Sequence, residues 1–181
     1  MKLVILDRDG VINQDSDAYI KSPAEWVPIP GSLEAIARLN HAGFRVVVAT
    51  NQSGIARGLF DMEALDGIHQ RLHSELARVG GQLDGIYFCP HAPDDHCRCR
   101  KPESGLFEEI AARTRTPLDG VPAVGDSLRD LVAARAVGAR PILVRTGKGR
   151  RAEDQLPEEW NVPVYDDLAA VVNALLEAET R

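Results

Sequence analysis

Short apolar runs alternate along the chain with stretches in which apolar residues recur every three or four positions. The recurrence is that of helices with one buried face, and it predicts helices that begin at Ser32 and Asp61, that contain Phe107 and Leu131, and that include Leu168 near the end. The short runs predict five strands, at residues 3–6, 45–49, 86–88, 122–125 and 141–144. Apolar strands that alternate with helices indicate a parallel sheet covered on both faces.

Turn residues between these elements predict where the helices begin and end. Ser32 is expected to cap the first helix with its hydroxyl, and Gly43 to end it. The Gly80-Gly81 pair is expected to end the second helix. No repeat, low-complexity tract or linker interrupts the pattern, so residues 1–181 are interpreted as a single doubly wound α/β domain.

Charge and hydropathy narrow the class of partner. The 181 residues carry 27 acidic and 21 basic side chains, a formal net charge of −6. A nonspecific nucleic-acid binder needs an excess of Lys and Arg to neutralise phosphates, which argues against such a partner. No apolar stretch approaches the roughly 20 residues of a membrane helix, and the N-terminal one is too short for a signal peptide. We therefore expect a cytoplasmic protein with neither a nucleic-acid nor a membrane partner.

Polar side chains follow the predicted strands at the points where those strands end. Asp7 and Asp9 follow the first strand, Thr50 and Asn51 the second, and Asp126 the fourth. In doubly wound folds, ligands bind beyond the carboxyl ends of the strands, where these residues would meet. Converging acids repel one another unless a hard cation joins them, so Asp7, Asp9 and Asp126 predict a Mg²⁺ site.

Donors suited to phosphate accompany the acids. The turn Thr50-Asn51-Gln52-Ser53-Gly54 offers a hydroxyl, amides and main-chain N–H groups that can surround an anion. Arg100 and Lys101 add a planar guanidinium and a compact ammonium group. Phosphoryl transfer needs an in-line nucleophile, a metal and fixed donors around the phosphoryl oxygens, and this set predicts that chemistry. Asp130 is interpreted as complementing the N-terminus of the helix that follows Asp126.

Three cysteines and a histidine lie within eleven positions and predict a second metal site. Cys89, His91, Cys97 and Cys99 together are a common ligand set for a closed, structural Zn²⁺ site. His96 competes with His91, which is favoured because the spacing of Cys89 and His91 matches that of Cys97 and Cys99. Because Arg100 and Lys101 follow directly, zinc is expected to hold the loop that presents both cations.

Taken together, the motifs DRDG, TNQSG, RKP and GDSLRD, in this order, resemble the haloacid dehalogenase superfamily over residues 1–147. The resemblance implies that Asp7 attacks phosphorus, that Asp9 acts as acid and base, and that Thr50 and Lys101 steady the phosphoryl group. It implies that the Asp7 carboxylate, the backbone carbonyl of Asp9 and Asp126 hold Mg²⁺. No large insertion separates the motifs, which implies a capless enzyme, and a monomer is the expected state.

The zinc loop and the LVRTGKG stretch narrow the resemblance to the D-glycero-D-manno-heptose 1,7-bisphosphate 7-phosphatase family, which removes a sugar phosphate during the synthesis of nucleotide-activated heptose for lipopolysaccharide core. The segment 15–19 is one residue longer than a common form, and Ser127 stands where some members carry Lys. Lys148, Arg150 and Arg151 are interpreted as a solvated loop. By position, the family's substrate site would comprise Asp7, Arg8, Asp9, Asp15, Tyr19, Thr50, Asn51, Gln52, Ser53, Arg100 and Lys101.

Several other functions fit part of this pattern. Histidinol-phosphate phosphatases share the fold, the acids and a similar zinc loop, and motifs separate them poorly from the heptose enzymes. A receiver-like signalling domain also becomes phosphorylated on an Asp in an acidic α/β pocket, but it does not need Asp9 as an acid or base. A nucleic-acid end phosphatase of the same superfamily would need a basic groove.

Overall fold

A computed structural model describes residues 2–181 and contains one six-stranded parallel sheet with the strand order β3-β2-β1-β4-β5-β6. The strands are β1 (Lys2–Leu6), β2 (Phe44–Asn51), β3 (Gly85–Cys89), β4 (Pro122–Gly125), β5 (Arg140–Val144) and β6 (Val164–Tyr165). The helices are α1 (Ser32–His41), α2 (Met62–Arg78), α3 (Gly105–Thr114), α4 (Leu128–Ala136), α5 (Gly149–Asp154) and α6 (Leu168–Glu179). The predicted doubly wound α/β fold is confirmed.

Alternate residues of each central strand pack on opposite faces of the sheet. In β1, Val4 and Leu6 join the core formed with α1, α2 and α6, whereas Leu3 and Ile5 join the core formed with α3 and α4. All four side chains are at most 3% exposed. Burial on both faces explains why these strands are apolar throughout rather than alternating.

Some local predictions differ from the structure. The predicted cap at Ser32 is wrong: Gly31, with φ +86°, precedes the helix, and the Ser32 hydroxyl donates to the carbonyl of Val11 at 2.9 Å. Asp61 does cap α2, since its side chain accepts from the N–H of Ala64 at 2.8 Å. The strand after α1 continues beyond position 49, so Thr50 and Asn51 are its last residues rather than the start of a turn.

The topological switch point lies between β1 and β4, because the chain winds outward from β1 in both directions along the sheet. The carboxyl ends of β1, β2 and β4 therefore bring Asp7, Asn51 and Asp126 to one edge. All six strands of residues 2–181 belong to this sheet, and loops border that edge. Among the helices described, none combines the length and apolarity that crossing a bilayer requires.

Candidate active site

A cavity of about 350 Å³ opens at the carboxyl edge of the sheet, over the switch point. Its wall carries both signs of charge together with neutral donors. The lining acids are Asp7, Asp9, Asp15, Asp17, Asp126 and Asp130, the lining cations are Arg57, Arg100, Lys101, Arg129 and Lys148, and the neutral polar residues include Tyr19, Asn51, Gln52, Ser53 and Ser127.

Three carboxylates converge on one point of this cavity. Asp7, Asp126 and Asp130 each present an oxygen, and these oxygens lie within 4.8 Å of one another. The backbone N–H of Asp7 donates to the carbonyl of Val124 at 2.9 Å, which ties the end of β1 to β4. Asp126 accepts at Oδ2 from the N–H of Lys148 at 3.0 Å. Asp7 and Asp126 can therefore contact a common ion.

Burial and mutual repulsion perturb these acids strongly. Burial, followed by the charge of Asp130, raises the pKa of Asp7 to about 7, although Lys101 opposes the shift. Burial and the charges of Asp7 and Asp130 raise the pKa of Asp126 to about 9. Buried carboxylates in this state favour a divalent cation that compensates their charge, and carboxylate oxygens are ligands that Mg²⁺ prefers. The donor set therefore fits Mg²⁺.

Lys101 lies between the acids and the carboxyl-terminal part of β2. Its Nζ is 2.6 Å from Asp130 Oδ1 and 3.2 Å from Asp7 Oδ1, and it donates to the carbonyl of Ala49 at 2.7 Å. Burial by itself would lower the pKa of Lys101, but Asp130 and Asp7 outweigh it and raise the pKa, so the ammonium group stays charged. Asn51 holds the Lys101 backbone through two hydrogen bonds of 3.0 Å.

Asp130 does more than complement a helix N-terminus. Its Oδ2 accepts from the N–H groups of Asp126 and Ser127, both at 3.1 Å, and from the Ser127 hydroxyl at 3.0 Å, while Oδ1 faces Lys101. The sequence prediction left it out of the site. Its position four residues after Asp126 was the available signal, but a capping role accounted for that spacing equally well.

Asp9 lies in the cavity wall, but its side chain is held away from the three converging acids. Oδ1 accepts from Arg8 Nε at 3.1 Å, Arg8 Nη2 at 2.8 Å and Asn13 Nδ2 at 2.9 Å, and Oδ2 accepts from Gln52 Nε2 at 3.0 Å. Burial favours the neutral acid, yet Arg8 and the hydrogen bonds from Asn13 and Gln52 outweigh it and lower the pKa of Asp9. If Asp9 helps to hold Mg²⁺, its backbone carbonyl is the available group.

Two predicted site residues lie behind the cavity wall. Arg8 is fully buried, and its guanidinium contacts Asp9 and His69 rather than the cavity. Thr50 is 1% exposed, and its hydroxyl oxygen accepts from Gln52 Nε2 at 2.9 Å. Neither side chain is among those that line the cavity. In this structure both side chains support residues that face the cavity, and their predicted contacts with substrate stay a prediction.

The outer wall contains the remaining predicted substrate residues and three cations that were not predicted. Asp15, Tyr19 and Arg100 line it as expected, along with Arg57, Arg129 and Lys148. Lys148 Nζ is 3.5 Å from Asp15, and the Arg57 guanidinium lies 5.9 Å from the centre of the Tyr19 ring. Lys148 was interpreted as part of a solvated loop because sequence alone does not show that its loop packs against Asp126.

Arginine side chains concentrate on one side of the cavity. Burial, then the charges of Arg129 and Arg57, lowers the pKa of Arg100. Nη1 of Arg100 is buried and has no hydrogen-bond partner within residues 2–181. A cationic donor in this condition is suited to an anionic group of a ligand.

The four predicted zinc ligands lie together beside the cavity. The sulfur of Cys89 is 2.8 Å from that of Cys99 and 3.6 Å from that of Cys97, and Nδ1 of His91 is 3.3 Å from the Cys99 sulfur. All three cysteines are free thiols, and His96 is not a member of the cluster. Burial raises the pKa of Cys97, but the backbone N–H of Arg100 and the neighbouring sulfurs outweigh it and lower the pKa to about 7. The donor set fits a tetrahedral Zn²⁺.

This chain matches two family models and is similar to several known proteins over most of its length. A family model described as polynucleotide kinase 3 phosphatase matches residues 2–127, and one described as HAD-hydrolase-like matches residues 98–171. The D-glycero-beta-D-manno-heptose-1,7-bisphosphate 7-phosphatase of Bordetella bronchiseptica is 59% identical over 98% of this chain and 99% of its own length. The same-named protein of Pseudomonas aeruginosa is 55% identical over 97% of this chain and 98% of its own length.

Two solved structures of heptose bisphosphate phosphatases have the same fold as this chain. The crystal structure of a D,D-heptose 1.7-bisphosphate phosphatase from B. bronchiseptica, complexed with magnesium and phosphate, is 58% identical and superposes with a TM-score of 0.95 over 98% of this chain and 99% of that one. The corresponding phosphatase from Burkholderia thailandensis is 50% identical, with a TM-score of 0.77 over 97% and 99%. This chain therefore belongs to the haloacid dehalogenase superfamily and, within it, to the D-glycero-D-manno-heptose-1,7-bisphosphate 7-phosphatase family.

Proposed function

We propose that this protein is a Mg²⁺-dependent phosphatase that removes the 7-phosphate of D-glycero-β-D-manno-heptose 1,7-bisphosphate through an aspartyl-phosphate at Asp7. The observation that carries the proposal is the convergence of Asp7 and Asp126 on one point beside Lys101, in a chain that matches heptose bisphosphate phosphatases over nearly its whole length. The product, a heptose 1-phosphate, serves the synthesis of nucleotide-activated heptose for lipopolysaccharide core.

Asp7 supplies the nucleophile. An Asp7 carboxylate oxygen forms a bond to phosphorus while the bond from phosphorus to the sugar oxygen breaks, and Asp9 gives its proton to that oxygen. Water then attacks the aspartyl-phosphate, Asp9 takes a proton from the water, and inorganic phosphate and free Asp7 result. The Asp7 carboxylate, the Asp9 backbone carbonyl and Asp126 would hold Mg²⁺, which supplies charge compensation for the phosphoryl oxygens and the buried acids.

Other residues of the cavity hold the phosphoryl group and set the proton state of Asp9. Lys101, Asn51 and Ser53 face the place where its oxygens would lie, and Thr50 keeps Gln52 in position. Arg8 lowers the pKa of Asp9 in the free enzyme. A phosphate dianion in the same cavity opposes that effect, so binding of substrate favours the protonated Asp9 that the first step needs.

The distribution of cations favours a substrate with two anionic groups. Lys101 is paired with Asp7 and Asp130, whereas Arg100 experiences the charges of Arg57 and Arg129 and has an unpartnered Nη1. Histidinol phosphate carries one phosphate and one ammonium group. The three guanidinium groups would repel that ammonium group. We assign Arg100 to recognition of the second phosphate, with Asp15 and Tyr19 bordering the sugar.

The zinc site is proposed as structural. Cys89, His91, Cys97 and Cys99 would complete the coordination of Zn²⁺ and leave no open position for chemistry.

We also propose a monomer in the cytoplasm that needs neither a nucleic-acid nor a membrane partner. Three clustered free thiols suit a reducing compartment.

A panel of substrates tests the proposed function. In Mg²⁺, kcat/KM should be highest for the heptose 1,7-bisphosphate and lower for histidinol phosphate and for sugar monophosphates.

Asp7→Asn should abolish turnover with the fold intact, and Asp9→Asn should lower kcat by about 10²–10⁴-fold, because proton transfer is lost. Near-normal turnover in either variant would refute the mechanism. A stable phosphoprotein without turnover would instead indicate a receiver-like domain.

A nucleic-acid end phosphatase is the second candidate, because the family model described as polynucleotide kinase 3 phosphatase matches residues 2–127. The net charge of −6 and the acids Asp15 and Asp17 at the outer wall oppose the approach of a polyanion. A 3′-phosphorylated oligonucleotide in the same panel separates the two. Turnover of the oligonucleotide that exceeds turnover of the sugar bisphosphate would favour this second function.

A further inference from the structure

His69 is a buried titratable side chain that the proposed mechanism does not use. It belongs to α2, on the face that carries the buried Leu65, Ile68 and Leu72, and 9% of its surface is exposed. Its Nε2 lies 3.1 Å from Nη1 of Arg8, which comes from the loop after β1. A buried polar group is costly unless a partner satisfies it, and here each of two buried groups satisfies the other.

The hydrogen bond between His69 and Arg8 has one possible direction. A guanidinium only donates, so Nε2 of His69 accepts, and we assign the ring proton to Nδ1. Burial, followed by the charge of Arg8, lowers the pKa of His69 to about 3, which keeps the ring neutral. Of the other groups that face the ring, Asp9 opposes this shift and His73 adds to it. The neutral acceptor therefore persists at physiological pH.

Arg8 connects His69 to Asp9. Its Nε and Nη2 both donate to Oδ1 of Asp9, at 3.1 Å and 2.8 Å. The guanidinium is rigid and planar, so a third contact at Nη1 fixes the direction in which the other two nitrogens point. Neither Arg8 nor His69 lines the cavity, so both act on Asp9 from behind.

We infer that His69 is a positioning residue, which holds the Arg8 guanidinium and through it keeps the Asp9 carboxylate where the leaving oxygen takes up its proton. The inference rests on the acid–base role of Asp9 in the proposed function. It predicts an effect on proton transfer that a residue needed only for packing would not have.

Two variants separate the acceptor from the bulk of the side chain. His69→Leu places an apolar side chain of similar size at this position. It removes the acceptor and so leaves Nη1 of Arg8 without a partner. Because misplacement of a catalytic group by about 1 Å costs on the order of 10²-fold, we expect kcat on the sugar bisphosphate to fall by about 10- to 100-fold with KM little changed. His69→Gln, whose Oε1 can accept in place of Nε2, should restore most of kcat. His73→Leu, an exposed histidine four residues along α2, is the matched control and should keep wild-type kcat.

The choice of leaving group gives the decisive readout. A p-nitrophenolate leaves without needing a proton, whereas the later attack by water uses Asp9 with either substrate, so the two substrates are compared in the first turnover. His69→Leu should spare the single-turnover release of p-nitrophenolate compared with the single-turnover release of the sugar from the bisphosphate. Equal losses in the first turnover on both substrates, or failure of His69→Gln to recover kcat where His69→Leu has lost it, would overturn the inference.

Crystal structures of the two variants decide the question without activity. Asp9 should move from its present position in His69→Leu and keep it in His69→Gln. An unmoved Asp9 in His69→Leu overturns the inference whatever the substrate. If the wild-type protein hydrolyses no phosphate monoester, the proposed function fails on its own, and the position of Asp9 still tests the role of His69.

Discussion

Asp126 reaches the converging carboxylates of Asp7 and Asp130 through a space that two glycines leave open. A Cβ at Gly10 would lie 2.0 Å from Oδ2 of Asp126, and a Cβ at Gly147 would lie 2.3 Å from the same atom and 2.5 Å from Cα of Gly10. The φ angles are +81° and +58°, a region that residues with a side chain rarely adopt. Both the backbone conformation and the close approach thus require glycine at these positions.

Gly147→Ala is expected to displace Asp126 and weaken Mg²⁺ binding. The Mg²⁺ concentration for half-maximal activity should rise by about tenfold or more, since changes beside a metal ligand have effects of this size. Gly120→Ala is a matched control, because Gly120 has a similar φ of +73° but no atom within 4 Å of the added Cβ. It should lower stability by about 1–2 kcal/mol without affecting Mg²⁺ activation. The same Mg²⁺ dependence in both variants would contradict this account.

Side-chain direction decided which predicted residues face the cavity. Arg8 lies between Asp7 and Asp9 in the sequence, and the family resemblance, carried over by position, predicts that it contacts substrate. The loop after β1 instead turns Arg8 inward, where it meets His69. The sequence does signal that His69 faces the core, because it follows Ile68 and lies four residues after Leu65 on the apolar stripe of α2. It does not signal that Arg8 is its partner.

At the scale of elements, the segment between β3 and α3 joins the cysteine cluster to Lys101. Cys89 ends β3, and Cys99 is followed directly by Arg100 and Lys101. Beyond Lys101 the chain enters α3, and Asn51 at the end of β2 holds the Lys101 backbone. Loss of a metal at the cluster would free one side of this segment.

Removal of zinc should therefore weaken substrate binding more than it unfolds the sheet. After chelation and return to excess Mg²⁺, we expect KM to rise by about tenfold, since a loosened loop misplaces Arg100 and Lys101. Metal content and circular dichroism should show that zinc is gone and that the helices remain. Zn²⁺ added back provides the control. If zinc is removed and KM and kcat stay unchanged, the cluster does not support the site.

At the scale of the whole molecule, the acids at the sheet edge destabilise the protein in the absence of Mg²⁺. The folded-state pKa values of Asp7 and Asp126 are about 7 and about 9, above the ordinary value of 3.8. At a pH between 3.8 and these raised values, each of the two acids binds more protons in the folded state than in the unfolded state. Their joint contribution to stability without Mg²⁺ therefore falls as pH rises from about 4 through about 9, and below about pH 6.5 this fall exceeds the opposite contribution of the single buried His69.

Thermal unfolding tests this prediction. Without Mg²⁺, Tm should decline across that pH range, and Mg²⁺ should raise Tm more at pH 8 than at pH 5, because it binds the folded, deprotonated acids. Asp126→Asn removes one of the titrating charges and should reduce both the decline and the gain. A Tm gain from Mg²⁺ that does not depend on pH would contradict the predicted link between the cation and these acids.

Much of the fold and part of the site could be predicted from local sequence. The five longer strands were identified because each contains a run of apolar residues, whereas β6, with two residues, and α5, with six mostly polar residues, carry too little pattern to detect. The cluster of three cysteines and one histidine was predictable because all four residues lie within eleven positions, a span that one loop can close.

By itself the sequence determined which chemical groups stand at the ends of parallel strands, and the regular geometry of such sheets brings strand ends to one edge. Asp7, Asn51 and Asp126 follow from that rule. Tertiary packing was needed to bring Lys101 to Asp130, Lys148 to Asp126 and Arg8 to His69. Those contacts depend on how elements far apart in sequence pack and on the direction of each side chain, which no local pattern encodes.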